Sequence, residues 1–104
     1  MNINFSFSRV DKNCKETLKK YLTESKINRL NRYLQHGNFE LANLRVFAEY
    51  FTKNNAFLVK LELNIKKTIL VAEERSHDIL KGLDLALDRL ISQLRKIESK
   101  THDK

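Results

Sequence analysis

The residues best suited to chemistry in this chain are three histidines, His36, His77 and His102, the single cysteine Cys14, and two aspartates one helical turn apart, Asp84 and Asp88. The histidines are scattered, and none has a cysteine, histidine or carboxylate at the short spacing that closes a metal site. His77 adjoins Asp78, which does not by itself orient a general base. Asp84 and Asp88 share a helix face and resemble paired carboxylates, yet beside Lys81 and Arg89 they read as surface charge balance. With Gly37 and Gly82 the only glycines, there is no glycine-rich loop to cradle a phosphate. These patterns predict a protein that is not an enzyme and needs neither metal nor other cofactor. What remains is charge. At about 100° per residue, Arg89, Gln93, Lys96 and Lys100 collect on one flank of a helix, where packing leaves them in water and able to touch a polyanion.

The whole chain leans the same way. Twenty Lys and Arg against 13 Asp and Glu give a net charge of +7 and a pI near 9.7 over 104 residues. Nucleic acid is the first partner implied, and a membrane surface the second. One cysteine cannot form an internal disulfide and fits a reducing cytoplasm. The N-terminus alternates polar and apolar residues where a signal peptide would run apolar, and no segment approaches the roughly 18 to 20 apolar residues that span a bilayer. The length predicts one domain, residues 1–104 with a frayed tail from about 98, that is monomeric when free.

The elements that must position the charges follow from periodicity. Ile3, Phe5 and Phe7 alternate with polar residues as in a strand with one dry face. Asp11 or Asn13 can cap the next helix, and Asn13 with Glu16 makes a capping-box-like pair. That helix carries Leu18, Tyr21, Leu22, Ile27, Leu30, Tyr33 and Leu34. The step of five from Leu22 to Ile27 breaks its period and predicts a bulge near Ser25. His36 and Gly37 mark its end.

Alternation returns from Leu44 to Phe51, and Thr52-Lys53-Asn54-Asn55 has the composition of a hairpin turn. A third strand follows with Phe57, Val59, Leu61, Leu63 and Ile65 facing in. Lys66-Lys67 then turns the chain into a short fourth strand, Thr68 to Glu73. Ser76 can cap a last helix with Asp78 in its first turn, and Ile79, Leu80, Leu83, Leu87, Leu90, Ile91, Leu94 and Ile97 form one apolar stripe. The order βαβββα predicts an α+β two-layer fold, with two helices on one face of a four-stranded, mainly antiparallel sheet whose other face is open to water.

Two segments carry a resemblance to a known family. Lys26 to Leu34, KINRLNRYL, resembles the first-helix signature of the ribosome hibernation promoting factors and ribosome-associated translation inhibitors. The run from Ala72, AEERSHDIL, followed by LDLALDRLISQLRK from Leu83, is similar to that family's fourth strand and second helix. The resemblance implies a double-stranded-RNA-binding-domain-like layout that binds ribosomal RNA of the small subunit, in the channel used by messenger and transfer RNA. It also implies association with the assembled ribosome, translation blocked by occlusion in stress or stationary phase, and no small-molecule substrate or membrane. Carried over, the contacts are Lys26, Arg29 and Arg32 on the first helix and Arg89, Lys96 and Lys100 on the second, with Lys81 and Arg95 added by position. Ser92 stands where the family commonly has an arginine, and Leu80 where it commonly has an aromatic. The ending at Lys104 reads as a short form without the second domain of longer relatives.

Two other readings compete. Phe47 and Phe51 on the open sheet face suggest base stacking, as in a general RNA-binding module, although edge packing is the simpler assignment. The basic flank also suits an adaptor for an acidic protein. A membrane role is disfavoured because both amphipathic helices are needed to cover the sheet.

Overall fold

The computed structural model describes residues 1–34, 42–65 and 68–102, with the backbone alone for 98–102. Strand β1, Asn2–Ser8, is followed by helix α1, Lys12–Tyr21, which runs through a π turn at Leu22–Lys26 into the short helix α2, Ile27–Asn31. Strands β2, Asn43–Phe51, β3, Ala56–Ile65, and β4, Thr68–Ser76, precede helix α3, Ile79–His102. The four strands form one sheet in the order β1-β2-β3-β4. β1 runs parallel to β2, and the other two pairings are antiparallel, so β2 to β4 make the expected meander in a mixed sheet.

The alternation in each strand does what its period requires. Leu44, Val46 and Ala48 of β2, Val59, Leu61 and Leu63 of β3, and Leu70 and Ala72 of β4 are buried on one face. The register places Ile3, Phe5 and Phe7 beside Leu44, Val46 and Ala48, so β1 contributes to the same face. Against it pack Leu18, Leu22 and Leu30 from the first rod and Leu83, Ala86, Leu87, Leu90, Ile91 and Leu94 from α3. The extra residue inferred from the Leu22–Ile27 step is the π turn. It lets Leu18 before it, Leu22 at its start and Leu30 after it all reach the core.

Several local expectations are revised. Asp11 caps α1, its Oδ1 accepting from the Cys14 amide at 2.7 Å, while Asn13 lies inside the first turn because the helix already starts at Lys12. β4 continues three residues past Glu73, since its pairing with β3 holds to Ser76 opposite Phe57. Asp78 therefore precedes α3 in the capping position instead of lying in its first turn, and its Oδ1 accepts from the Leu80 amide at 2.9 Å. Ser76 Oγ accepts from the Asp78 amide at 3.2 Å, one step earlier. The turn at Thr52–Asn55 is as expected, with Asn55 at φ 47°. The helix stop assigned to His36 and Gly37 and the turn at Lys66-Lys67 lie outside the described residues. The backbone of α3 continues through the segment expected to fray, as far as His102.

Gly82 is the one interior helix glycine with a visible reason. A Cβ there would stand 3.0 Å from Val59 Cγ2, so the absence of a side chain lets α3 settle closely on β3.

Two outcomes are expected in urea unfolding and one in thermal unfolding. Leu87→Ala removes a fully buried side chain and lowers stability by about 2–5 kcal/mol, while Gly82→Val drives a branched side chain into Val59 and costs about 1–3 kcal/mol. Asp11 is held below the ordinary carboxylate value by the Cys14 amide, so its contribution is complete above the unfolded carboxylate pKa and is lost as pH falls through the folded one. Asp11→Ala therefore lowers Tm at neutral pH, and the difference from wild type closes in strong acid.

Candidate nucleic-acid interface

The two rods lie side by side on the sheet, and their outward surfaces carry the expected cations. At the seam between them, basic residues of the first rod meet acids of α3. Lys26 Nζ lies 3.5 Å from Asp84 Oδ1 and over the Tyr21 ring, while Arg29 Nη2 donates to Asp88 Oδ1 at 2.7 Å. The Tyr21 hydroxyl donates to Asp84 Oδ2 at 2.8 Å, so one carboxylate holds both a phenol and an ammonium. The Tyr21 hydroxyl first, and the Asp84 charge second, hold the Lys26 ammonium above the ordinary lysine pKa. Two turns beyond Asp88 along α3, Arg95 donates from Nε and Nη2 to the Tyr33 hydroxyl at 3.2 and 2.8 Å and lies over its ring.

Asp84 and Asp88 are thus charge partners as expected, but across the seam: their contacts are Lys26 and Arg29, not Lys81 and Arg89. The cause is rotational. Asp84, Asp88 and Arg95 point within about 40° of one another around α3, toward the first rod, whereas Arg89, Gln93 and Lys96 lie at about 100–180° from Asp84 or Arg95. That second flank faces the β4 edge, where Arg89 pairs with Glu74 and Gln93 Nε2 donates to the Val71 carbonyl at 2.8 Å. Lys81 stands exposed on the ridge between the two flanks, Lys96 is exposed beside Arg89, and Arg32 is exposed at the end of α2. The side chain of Lys100 is outside the described residues. Arg89, Gln93 and Lys96 thus share one flank of α3, while Lys26 and Arg29 lie across the seam on its other side, so cations stand on both sides of the α3 ridge.

The opposite face of the sheet is charge-balanced. Arg45 sits 3.7 Å from Glu62 on the next strand, and Lys60 is in register with Glu73. Phe47 lines a depression of about 630 Å³ there, with Asn4, Arg45, Leu58 and Lys60. β2 lies between β1 and β3, so Phe47 is not at a sheet edge, and the edge-packing assignment is corrected: it sits mid-sheet, and Phe51 lies under the Arg75 guanidinium. His77 is likewise a structural contact, its Nδ1 lying 2.7 Å from the Asn55 carbonyl oxygen. Burial, with the Asp11 contact adding to it, pushes the Cys14 thiol above its ordinary pKa, which disfavours the thiolate. Among the described residues no three His, Cys, Asp or Glu side chains gather as a metal site would require, and no helix is long and apolar enough to cross a membrane.

A family model described as Sigma 54 modulation protein / S30EA ribosomal protein matches residues 3–102. The chain belongs to this family. A ribosome hibernation promotion factor of Staphylococcus aureus is 29% identical over 89 residues, which are 86% of this chain and 45% of that protein. The chain thus spans about half the length of that relative. Two solved structures have the same fold. The N-terminal domain of Thermus thermophilus Protein Y superposes with a TM-score of 0.66 at 21% identity, over 93% of this chain and 99% of that one. A ribosomal subunit interface protein from Coxiella burnetii gives 0.60 at 16%, over 95% and 99%.

Within this Sigma 54 modulation protein / S30EA fold, one group of cations was not singled out by the helical signature. Lys15 and Lys19 project from α1 over β1, with Lys19 Nζ 5.6 Å from the Phe5 ring centre and Lys15 Nζ 5.7 Å from that of Phe7. Their signal was available: two lysines at i, i+4 on a helix facing two phenylalanines at i, i+2 on a strand. Their stems roof the sheet edge while their ammonium groups stay at the surface.

The seam contact yields a direct check. Tyr21→Phe leaves ring packing in place but deprives Asp84 of a part-buried donor, and is expected to cost about 1–2 kcal/mol by denaturant unfolding.

Proposed function

We propose that this chain is a ribosome-associated hibernation factor. It binds ribosomal RNA of the small subunit, in the channel used by messenger and transfer RNA, and silences or stores the ribosome by occupying that space. Family membership over residues 3–102, together with cations spread over the outer surface of the helical layer, is the observation that carries this reading. Lys26, Arg29, Arg32, Lys81, Arg89, Arg95, Lys96 and Lys100 are the proposed contacts. The action is binding without chemistry and takes place in the cytoplasm.

The electrostatics suit such a role. Ribosomal RNA offers dense phosphates, and each cation that neutralises one releases condensed counterions. The pair Arg29–Asp88 does not oppose this. The largely exposed pair Arg29–Asp88 contributes only about 0–1 kcal/mol, so exchanging its carboxylate for a phosphate costs little, while the half-buried Lys26–Asp84 pair is held more firmly. Cations fixed on helices read the shape and phosphates of RNA more than its base sequence. Specificity then comes from the fit of the whole domain in a ribosomal cleft.

Co-sedimentation with small subunits tests the reading. Binding is expected to fall with salt at a log–log slope of about −4 to −7, corresponding to roughly five to eight neutralised phosphates. Charge reversal at Arg89 and Lys96 should abolish it with the far-ultraviolet helical signal intact, and translation should be inhibited at one copy per ribosome. Inhibition at substoichiometric amounts would instead mark an enzyme, and capture of an acidic protein without ribosomes would mark an adaptor.

A further inference from the structure

The sheet ends in a cationic cleft that none of the helical contacts includes. The C-terminal ends of β1, β2 and β4 lie together, because β1 is parallel to β2 and the β2–β3 hairpin turns there. Arg9 follows β1, Lys53 sits in the hairpin turn, and Arg75 is the penultimate residue of β4. With Phe51, Thr52 and Asn54 they line a cleft of about 210 Å³.

Three features distinguish it from the helical surface. First, the acids are elsewhere. Lys81 and Lys96 on the helical layer also lack a carboxylate partner but stand apart, whereas Arg9, Lys53 and Arg75, with none among the described residues, line one common cleft. Glu49 shares a cross-strand row with Arg75, but Leu58 stands between them. Second, the cleft is held in shape. The Tyr50 hydroxyl donates to Asn55 Oδ1 at 2.7 Å and His77 Nδ1 meets the Asn55 carbonyl oxygen at 2.7 Å, which fixes the turn carrying Lys53. The Arg75 guanidinium is parked 5.4 Å from the Phe51 ring centre, so it is oriented before any ligand arrives. Third, Arg9 has φ 60°, a left-handed conformation that favours glycine. This left-handed residue follows β1 directly, and its side chain lines the cleft.

We propose that this cleft is a second RNA site, which takes a backbone phosphate of an unpaired nucleotide between Arg9, Lys53 and Arg75 and stacks its base on the exposed guanidinium of Arg75. It rests on the reading of the chain as an RNA-binding protein and places contact on a different side of the molecule from the helical layer. The planar arginine held beside the Phe51 ring is the reason to prefer RNA over an acidic peptide, since a peptide carboxylate uses the charges but has no base to stack.

The test uses the full chain and a short fluorescein-labelled oligouridylate, followed by anisotropy between about 50 and 200 mM salt. Arg9→Gly with Lys53→Ala and Arg75→Ala is expected to weaken binding about tenfold or more at low salt and to flatten the log–log slope by about 0.7, as the loss of one neutralised phosphate on a single strand requires. Arg9→Gly alone also relaxes the left-handed residue, so it should weaken binding without lowering Tm, which separates lost contact from lost fold. Arg75→Lys keeps the charge but not the stacked plane; it should weaken oligouridylate and leave inorganic polyphosphate unaffected. An unchanged slope in the triple variant, or polyglutamate competing as well as oligouridylate at equal charge, overturns the proposal. Because this readout uses free RNA, it is separable from the ribosome assay. Wild-type chain that fails to sediment with ribosomes but loses oligouridylate in the cleft variants leaves the cleft standing, and sedimentation with unaltered oligouridylate binding removes it.

Discussion

Two leucine-striped rods must share one face of a four-stranded sheet, and the closeness with which α3 meets β3 sets the geometry of everything outside. Gly82 opposite Val59 permits that approach. Once Leu83, Leu87, Leu90 and Leu94 are committed to the core, the rotation of α3 is fixed, and with it the direction of every charged residue between them. Asp84, Asp88 and Arg95 have to face the first rod; Arg89 and Gln93 have to face β4. The pattern of surface charge is therefore a by-product of how the apolar stripe is seated.

That arrangement divides the molecule electrostatically. The helical layer keeps several of its cations beside acids, which limits self-repulsion in a chain of net charge +7 while leaving the exposed Arg29–Asp88 pair weakly held and readily exchanged. The open face of the sheet is balanced across strands by Arg45–Glu62 and by Lys60 beside Glu73. Where the strands end, Arg9, Lys53 and Arg75 gather around one cleft without that balance among the described residues.

Most of the fold was legible because its signals are local and periodic. Alternation in β2 and β3 identified the buried face residue by residue, and the five-residue step after Leu22 located the π turn. Boundaries were harder: Ser76 offers a plausible helix cap, yet strand pairing with Phe57 claims it first, so a tertiary ladder overrode a local preference. The cations were legible as a set but not by partner. Asp84 has Lys81 and Arg89 nearby in sequence, whereas its contacts come from Tyr21 and Lys26 on the other rod, and no helical period links positions so far apart in the chain. The cleft of Arg9, Lys53 and Arg75 carries no sequence pattern at all, because its members come from three separate strand ends.

The π turn at Leu22–Lys26 means that the first rod is written in two reading frames. Residues ahead of it, such as Lys15 and Lys19, and residues behind it, such as Lys26 and Arg29, are offset by the wider ring of one i→i+5 bond. A relative lacking the additional residue can keep the same leucines indoors while turning a different set of lysines outward. Alignments of this rod must therefore admit a one-residue gap near Ser25, and equivalence of a charge on one side says nothing about equivalence on the other.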